Sequence, residues 1–388
     1  MFKKNQKNIK VLGMMSGTSG DGIDGALVEF AADGGFSLLW HDSMSFKDGV
    51  RKRIHGLMKS LSGEEVVLGN SYVAQLYAEA CNAFLGRNEQ APDYIAAHGQ
   101  TVFHTPELSN WDGYMVNGSL QLMNGSVLAL KTGIPVVCNF READMAAEGE
   151  GAPLVPFADA CFFGRELEQD RIILNVGGIS NITVLKKAQG SAMISAAFDT
   201  GPGNMLMDAC CVQESEGKKH FDKNGEIAAQ AEPDLGIVAE FLKDPYFSRK
   251  PPKSTGREKF GEHCLCTLIE RFSKDATLAV KLSTLLEITV QSIVDAVLDP
   301  ELKISFPAQL IVAGGGALNS ELMRRLSRKL NERCEVFCSD QFAVPVMARE
   351  AMAFAALGNA FLRRQAANVP IATGAKNPVI LGQYHPGI

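Results

Sequence analysis

Lys10-Val11-Leu12-Gly13-Met14-Met15-Ser16-Gly17-Thr18-Ser19-Gly20-Asp21-Gly22-Ile23-Asp24 decides the fold. The first six residues read as a buried strand. Ser16 to Gly22 is a turn rich in donors. Ile23 to Phe30 reads as a second strand, since Val28 and Phe30 favour strand and no helical period appears. Most phosphate-binding loops open a helix instead. A P-loop ends in Lys-Ser/Thr, and a dinucleotide loop needs Gly-x-Gly-x-x-Gly before a helix. A hairpin turn offering backbone N–H groups, two hydroxyls and a carboxylate can hold phosphates and set an acid near their magnesium.

The device recurs about 160 residues along. Arg171 to Val176 is an apolar strand, Gly177-Gly178-Ile179-Ser180-Asn181 a turn, and Ile182 to Leu185 a second strand. A third glycine cluster, Gly314-Gly315-Gly316, follows the strand Gln309 to Ala313. Here Asn319 or Ser320 caps a helix striped with Leu322, Leu326 and Leu330. Triple glycine lets a flat ring approach the backbone. Any one of these loops alone reads rather as a plain tight turn. Three in the order phosphate, phosphate, nucleoside point to a nucleotide site.

The order of these motifs resembles the sugar-kinase, heat-shock ATPase and actin superfamily. More narrowly, the chain resembles the anhydro-N-acetylmuramic acid kinase family. The matching segments are Met15 to Asp24, Ala97-His98-Gly99-Gln100-Thr101, Gly151 to Pro156, Asn175 to Asn181, Phe198-Asp199-Thr200-Gly201-Pro202-Gly203-Asn204, Lys253-Ser254-Thr255-Gly256-Arg257-Glu258 and Ala313 to Gly316. The implied fold is α/β: two ribonuclease-H-like lobes, an actin-like ATPase or sugar-kinase fold, around a central active-site cleft. Lobe I is expected over 1–135, joined by a returning helix and tail over 347–388. Lobe II is expected over 136–346 and opens with the strand Ile134 to Val137. A helix is expected from about Glu64 to Leu85, a short strand over Tyr94 to Ala97, and an exposed loop over Gln213 to Asp222.

The resemblance also implies chemistry. Asp199 would activate a water that attacks the anomeric carbon of a 1,6-anhydro sugar, and the freed O6 would take the γ-phosphoryl of ATP. From residue types alone, a carboxylate ending a strand beside glycines is either such a base or an Asx-turn acceptor. ATP is expected at Gly17, Thr18, Ser19, Gly20, Asp21, Gly22, Ile23, Asp24, Gly177, Gly178, Gly201, Gly203, Asn204, Gly314, Gly315 and Gly316. Asp21 is expected to meet Mg2+, with a role in fixing the turn equally open. His98, Gln100 and Thr101 suit sugar hydroxyls, although a lone histidine in a turn is usually just satisfied there. His104 follows nearby, but no third ligand has matching spacing, so a histidine metal site is not expected. Arg141 and Glu350 match sugar-side positions of the family, while residue type alone favours surface ion pairs.

The chain departs from the family pattern at Gly20, at Glu142-Ala143, at Glu148-Gly149-Glu150-Gly151 and at Leu122-Met123-Asn124. Most of these changes fall on the sugar side. Extra acids would oppose the lactyl carboxylate of N-acetylmuramic acid by about 1 kcal/mol per exposed charge. A neutral anhydro sugar such as levoglucosan therefore stays open, as does a member that binds without catalysis.

Composition bounds the rest. Apolar residues make up 46% of the 388 residues, and the net charge is −6, which with the lack of a basic stripe argues against nucleic acid. No apolar run is long enough for a bilayer, and no signal-type apolar core follows Lys3-Lys4, so a cytoplasmic protein without membrane partners is expected. Nine cysteines lack zinc-site spacing and read as small buried hydrophobes. A role in cell-wall recycling is what the resemblance implies, and a homodimer is expected with it.

Overall fold

The computed structural model describes residues 7–17, 20–188 and 192–387. The chain divides into two compact units, Met1–Phe162 with Ala348–Ile388, and Phe163–Met347.

In the first unit, strands β1 (Ile9–Met15), β2 (Gly22–Phe30), β3 (Phe36–Ser45), β4 (Tyr94–Ala97) and β7 (Val136–Cys138) form one sheet with Gln383–His385. A separate hairpin pairs β5 (Gln100–Trp111) with β6 (Tyr114–Leu122). The main sheet runs β3-β2-β1-β4-β7, with Gln383–His385 at the β7 edge. The first three strands are antiparallel and the next two parallel. β1 is buried at every position but Lys10, because a central strand in a partly parallel sheet is covered on both faces. The cover on one face is the helix Arg349–Leu362, built from buried Ala351, Ala353, Ala355, Ala356 and Gly358. It approaches so closely that a Cβ on Gly13 would lie 1.9 Å from the Ala351 carbonyl oxygen. The other principal helix, Gly63–Arg87, starts at a Ser62/Glu65 capping box and buries Val73, Tyr77, Ala80 and Phe84 at helical spacing.

The second unit repeats the plan. β8 (Arg171–Val176), β9 (Ile179–Lys187), β10 (Ala192–Pro202), β11 (Ala308–Ala313) and β12 (Cys334–Cys338) run in the order β10-β9-β8-β11-β12. Three antiparallel strands again lead to two parallel ones. Both sheets thus share the ribonuclease-H-like order. The helix Leu278–Val297, buried along most of its length, anchors the second core.

The expected division at 135/136 is corrected. Val136–Cys138 does not open the second unit; it pairs in parallel with Tyr94–Ala97 through Ile95 and Val136. Hydrogen bonding to the first sheet outweighs position along the chain, and the boundary falls at Phe162/Phe163. Among the described residues no helix is long and apolar enough to cross a membrane.

Candidate functional site

Glycines of three loops in the second unit converge. The β8–β9 turn is held by the backbone after β10: Gly203 N–H donates to Gly178 O at 2.8 Å and Asn204 N–H to Gly177 O at 2.8 Å. Asn204 Nδ2 donates to Val176 O at 3.3 Å. Some of the glycines are there for packing. A Cβ on Gly203 would meet Gly177 O at 2.4 Å, and one on Gly316 would meet Val176 Cγ1 at 2.4 Å. Gly314 has φ +74°, which disfavours any side chain. The others have room: a Cβ would meet its nearest neighbour only at ordinary van der Waals contact, 3.7 Å on Gly177 and Gly315 and 3.8 Å on Gly178. Bare backbone on the β8–β9 turn and at Gly315 is a surface that phosphate or a flat ring can approach. Asn319, not Ser320, caps the following helix through Leu322 N–H.

Asp199 lies near the end of β10, where the pairing with β9 slips between Asp199 and Gly201. This bulge turns its side chain out of the regular alternation. Gly201 makes the bulge possible, with φ +152° and the Phe247 ring so close that a Cβ there would lie only 2.9 Å from it. Three bonds fasten Asp199. Its N–H donates to Lys253 O at 3.0 Å. Thr255 N–H donates to its Oδ2 at 2.9 Å. Tyr246 OH donates to its carbonyl oxygen at 2.7 Å. Burial raises the carboxyl pKa to about 6; the Thr255 N–H holds it down, Glu258 pushes it further up and Lys253 pulls it lower. A carboxylate so placed is a proton acceptor near neutral pH. Lys253 itself is buried, its Nζ donating at 3.2 Å to the carbonyls of Tyr246 and Phe247. Lys253, Thr255 and Tyr246 were not assigned roles from sequence. The only signal was the Lys253–Glu258 stretch, which carries no obvious chemistry of its own.

In the first unit, Thr18 and Ser19 lie outside the described residues. Gly20 has φ +62°, and its N–H closes the turn onto Gly17 O at 3.0 Å. Gly22 packs against β3, where a Cβ would lie 2.5 Å from Met44 O; Ile23 is buried. Asp21 is exposed and pairs with Arg51 at 3.1 Å. Among the described residues no three His, Cys, Asp or Glu side chains converge as a metal cage. As a single exposed carboxylate, Asp21 can offer one oxygen ligand to a cation. Asp24 and Glu350, expected on the nucleotide and sugar sides, are neighbours: burial raises the Asp24 pKa and Glu350 raises it further.

The residues expected to meet the sugar behave unequally. Gln100 is buried and spent on the first hairpin, accepting from Ser16 Oγ at 2.8 Å and donating to Gly17 O at 3.2 Å. Thr101 follows it in β5, half-buried. His98 is buried against Phe354, ring centroids 4.5 Å apart. Its Nδ1 lies 2.9 Å from Gly99 O, and its Nε2 accepts from Arg141 Nε at 3.1 Å. This pattern needs a neutral imidazole protonated at Nδ1, and burial with the adjacent guanidinium lowers its pKa to about 3. Arg141 is not the surface ion pair that residue type favours. Its Nη1 donates to Gly151 O at 2.7 Å, and burial lowers its pKa to about 10. The nearby Asp144 carboxylate is already taken by Gly151 N–H, Asn368 and Thr373. Glu148 is engaged by Lys376 at 2.6 Å, and Glu142 accepts from Gln383.

A family model described as anhydro-N-acetylmuramic acid kinase matches residues 9–387. Similar proteins bearing that name occur in Caldanaerobacter subterraneus subsp. tengcongensis, 36% identical over 98% of this chain and 97% of the relative. In a Cyanothece species the figures are 38%, 97% and 99%. In Bacillus thuringiensis subsp. konkukian they are 37%, 96% and 98%.

Proposed function

Since the chain belongs to the anhydro-N-acetylmuramic acid kinase family, we propose that it opens 1,6-anhydro-N-acetylmuramic acid with water and phosphorylates O6 from ATP. The observation that carries the reading is Asp199: a half-buried carboxylate on a bulge, one oxygen fixed by a backbone N–H, its pKa raised to about 6. Asp199 takes a proton from water as the water oxygen bonds to C1. The C1–O6 bond breaks, and O6 leaves with the electron pair. O6 then attacks the γ-phosphorus, and ADP departs. In the second unit, the loops at Gly177-Gly178, Gly203-Asn204 and Gly314 to Gly316 are the nucleotide-binding candidates; in the first unit, the glycine-rich stretch Gly17 to Asp24 is the phosphate-binding candidate. Mg2+ bound with the triphosphate would draw negative charge off the transferring group, with Asp21 as its protein carboxylate.

Arg141 supports an anionic sugar over a neutral one. Its guanidinium has five N–H donors, and only two hydrogen bonds from it are made among the described residues, neither to a carboxylate. The lactyl carboxylate of N-acetylmuramic acid meets that need. Of the acids that set this chain apart, Glu148 and Glu142 already have partners.

The test is isotopic. In water labelled with heavy oxygen, the phosphorylated product should carry the label at its anomeric position, formed as fast as ADP and before mutarotation exchanges it. Open-ring N-acetylmuramic acid should be a poor substrate at saturating ATP. Equal turnover of the open ring, or an unlabelled product, would make the protein an ordinary hydroxyl kinase.

A second expectation concerns the nucleotide. Gly177→Val introduces a side chain where a Cβ has room, the nearest atom being 3.7 Å away. The fold should persist while ATP affinity falls about tenfold or more, or about 1.4 kcal/mol. Unchanged affinity in a titration of the folded variant would leave this turn a structural role only.

A further inference from the structure

The stretch Lys253-Ser254-Thr255 wraps the backbone and carboxylate of Asp199, and one of its polar atoms remains unused. Thr255 Oγ1 is buried and has no hydrogen-bond partner among the described residues. Buried hydroxyls are nearly always satisfied, so an orphan beside a reactive group marks a place for something that is bound. Its location follows from bonds already given. Thr255 N lies 2.9 Å from Asp199 Oδ2, and a threonine Oγ1 is held about 3 Å from its own N by covalent geometry. Asp199 Oδ1 likewise has no hydrogen-bond partner among the described residues. The neighbouring candidates are excluded: Lys253 Nζ is spent on two carbonyls, and Ser254 is exposed.

We propose that Thr255 is a second catalytic residue, whose hydroxyl holds the water that Asp199 deprotonates. This rests on the function proposed above. The water donates one hydrogen to Asp199 Oδ1 and the other to Thr255 Oγ1, which leaves a lone pair facing C1. As the oxygen bonds to C1, the first proton passes to Asp199. The C1–O6 pair goes to O6, which takes the γ-phosphoryl group and releases ADP. Thr255 keeps its own proton throughout. A single acceptor would leave the water free to rotate about one hydrogen bond; two acceptors fix its attack direction.

Thr255→Val keeps the N–H to Asp199 and the branched shape, and removes only the hydroxyl. Its kcat should fall on the order of 10- to 100-fold, as misplacement of a reactant does. KM for ATP and for the sugar should stay within about threefold of the parent, the signature of an interaction made in the transition state only. The melting temperature should not drop, since no protein hydrogen bond is lost. The acid limb of the pH profile near 6 should stay in place, because the base is untouched. Thr255→Ser should restore kcat to within about threefold of the parent. If the valine variant turns over like the parent, or if serine is as slow as valine, the hydroxyl has no such role. Should valine fail to fold, Thr255→Ala is judged by the same criteria. Heavy-oxygen incorporation by the parent is followed alongside. An unlabelled parent product overturns the proposed function itself, whereas a labelled parent with an unimpaired valine variant overturns only the role of Thr255.

Discussion

Asp199→Asn should bind ATP as the parent does and turn over about 10²- to 10⁴-fold more slowly, since an amide cannot take the proton of the attacking water. The same change should not destabilise the protein at neutral pH. The Asp199 pKa is raised from 3.8 to about 6 by burial, so the folded chain holds this proton more tightly than the unfolded chain does. That contribution favours folding in full below the unfolded value and is lost as pH rises through 6. At pH 7 the ionised carboxylate therefore costs on the order of 1–2 kcal/mol in a half-buried site. Asparagine removes this cost while its oxygen can still accept from Thr255 N–H. Turnover by the parent should fall along an acid limb near pH 6, and the residual turnover of the variant should lack that limb. A variant within about tenfold of the parent would remove Asp199 from the role of base.

The fold was legible in the sequence where apolar runs flank a glycine turn. Lys10 to Phe30 and Arg171 to Leu185 have this form, and their pairing is local. The error at 135/136 arose from a long-range choice. Ile134 to Val137 is a short apolar run that either sheet could take, and only its parallel pairing with Tyr94–Ala97 decides. The β5–β6 hairpin is not legible from polar/apolar alternation, because its apolar residues Phe103, Leu108, Trp111, Tyr114, Met115 and Val116 are exposed rather than set on one buried face. Yet Asp112-Gly113 at its tip, both left-handed at φ 51° and 91°, is a strong turn signal.

The site divides along similar lines. Asp199 announces itself by its position after an apolar strand and before glycines. Its partners do not, since the Thr255 bond is a backbone donor 56 residues away. A main-chain N–H leaves no trace in residue type. Gln100 shows the opposite failure. Its amide suits a sugar hydroxyl by type, but Ser16 and Gly17 claim both ends of it. His98 likewise spends both ring nitrogens inside the protein, so its consequence for a ligand runs through Arg141.

Arg141→Met should therefore separate anionic from neutral sugars. Methionine fills much of the same length without charge or donors. For 1,6-anhydro-N-acetylmuramic acid, kcat/KM should fall about 10- to 100-fold, the worth of a charge-assisted hydrogen bond at 1.5–3 kcal/mol. For uncharged levoglucosan it should change by less than about threefold, because no carboxylate is there to lose its partner. Some stability should also be lost, since His98 Nε2 and Gly151 O surrender their donor. That loss is common to both substrates and cannot create a difference between them. Arg141→Lys keeps the charge but not the fork, so it should recover only part of the anion preference. KM for ATP should not move in either variant. An equal loss on both sugars would mean that Arg141 serves the fold alone, holding His98 and the Gly151 loop. Selectivity for the anion would then have to be sought in other residues of the first unit.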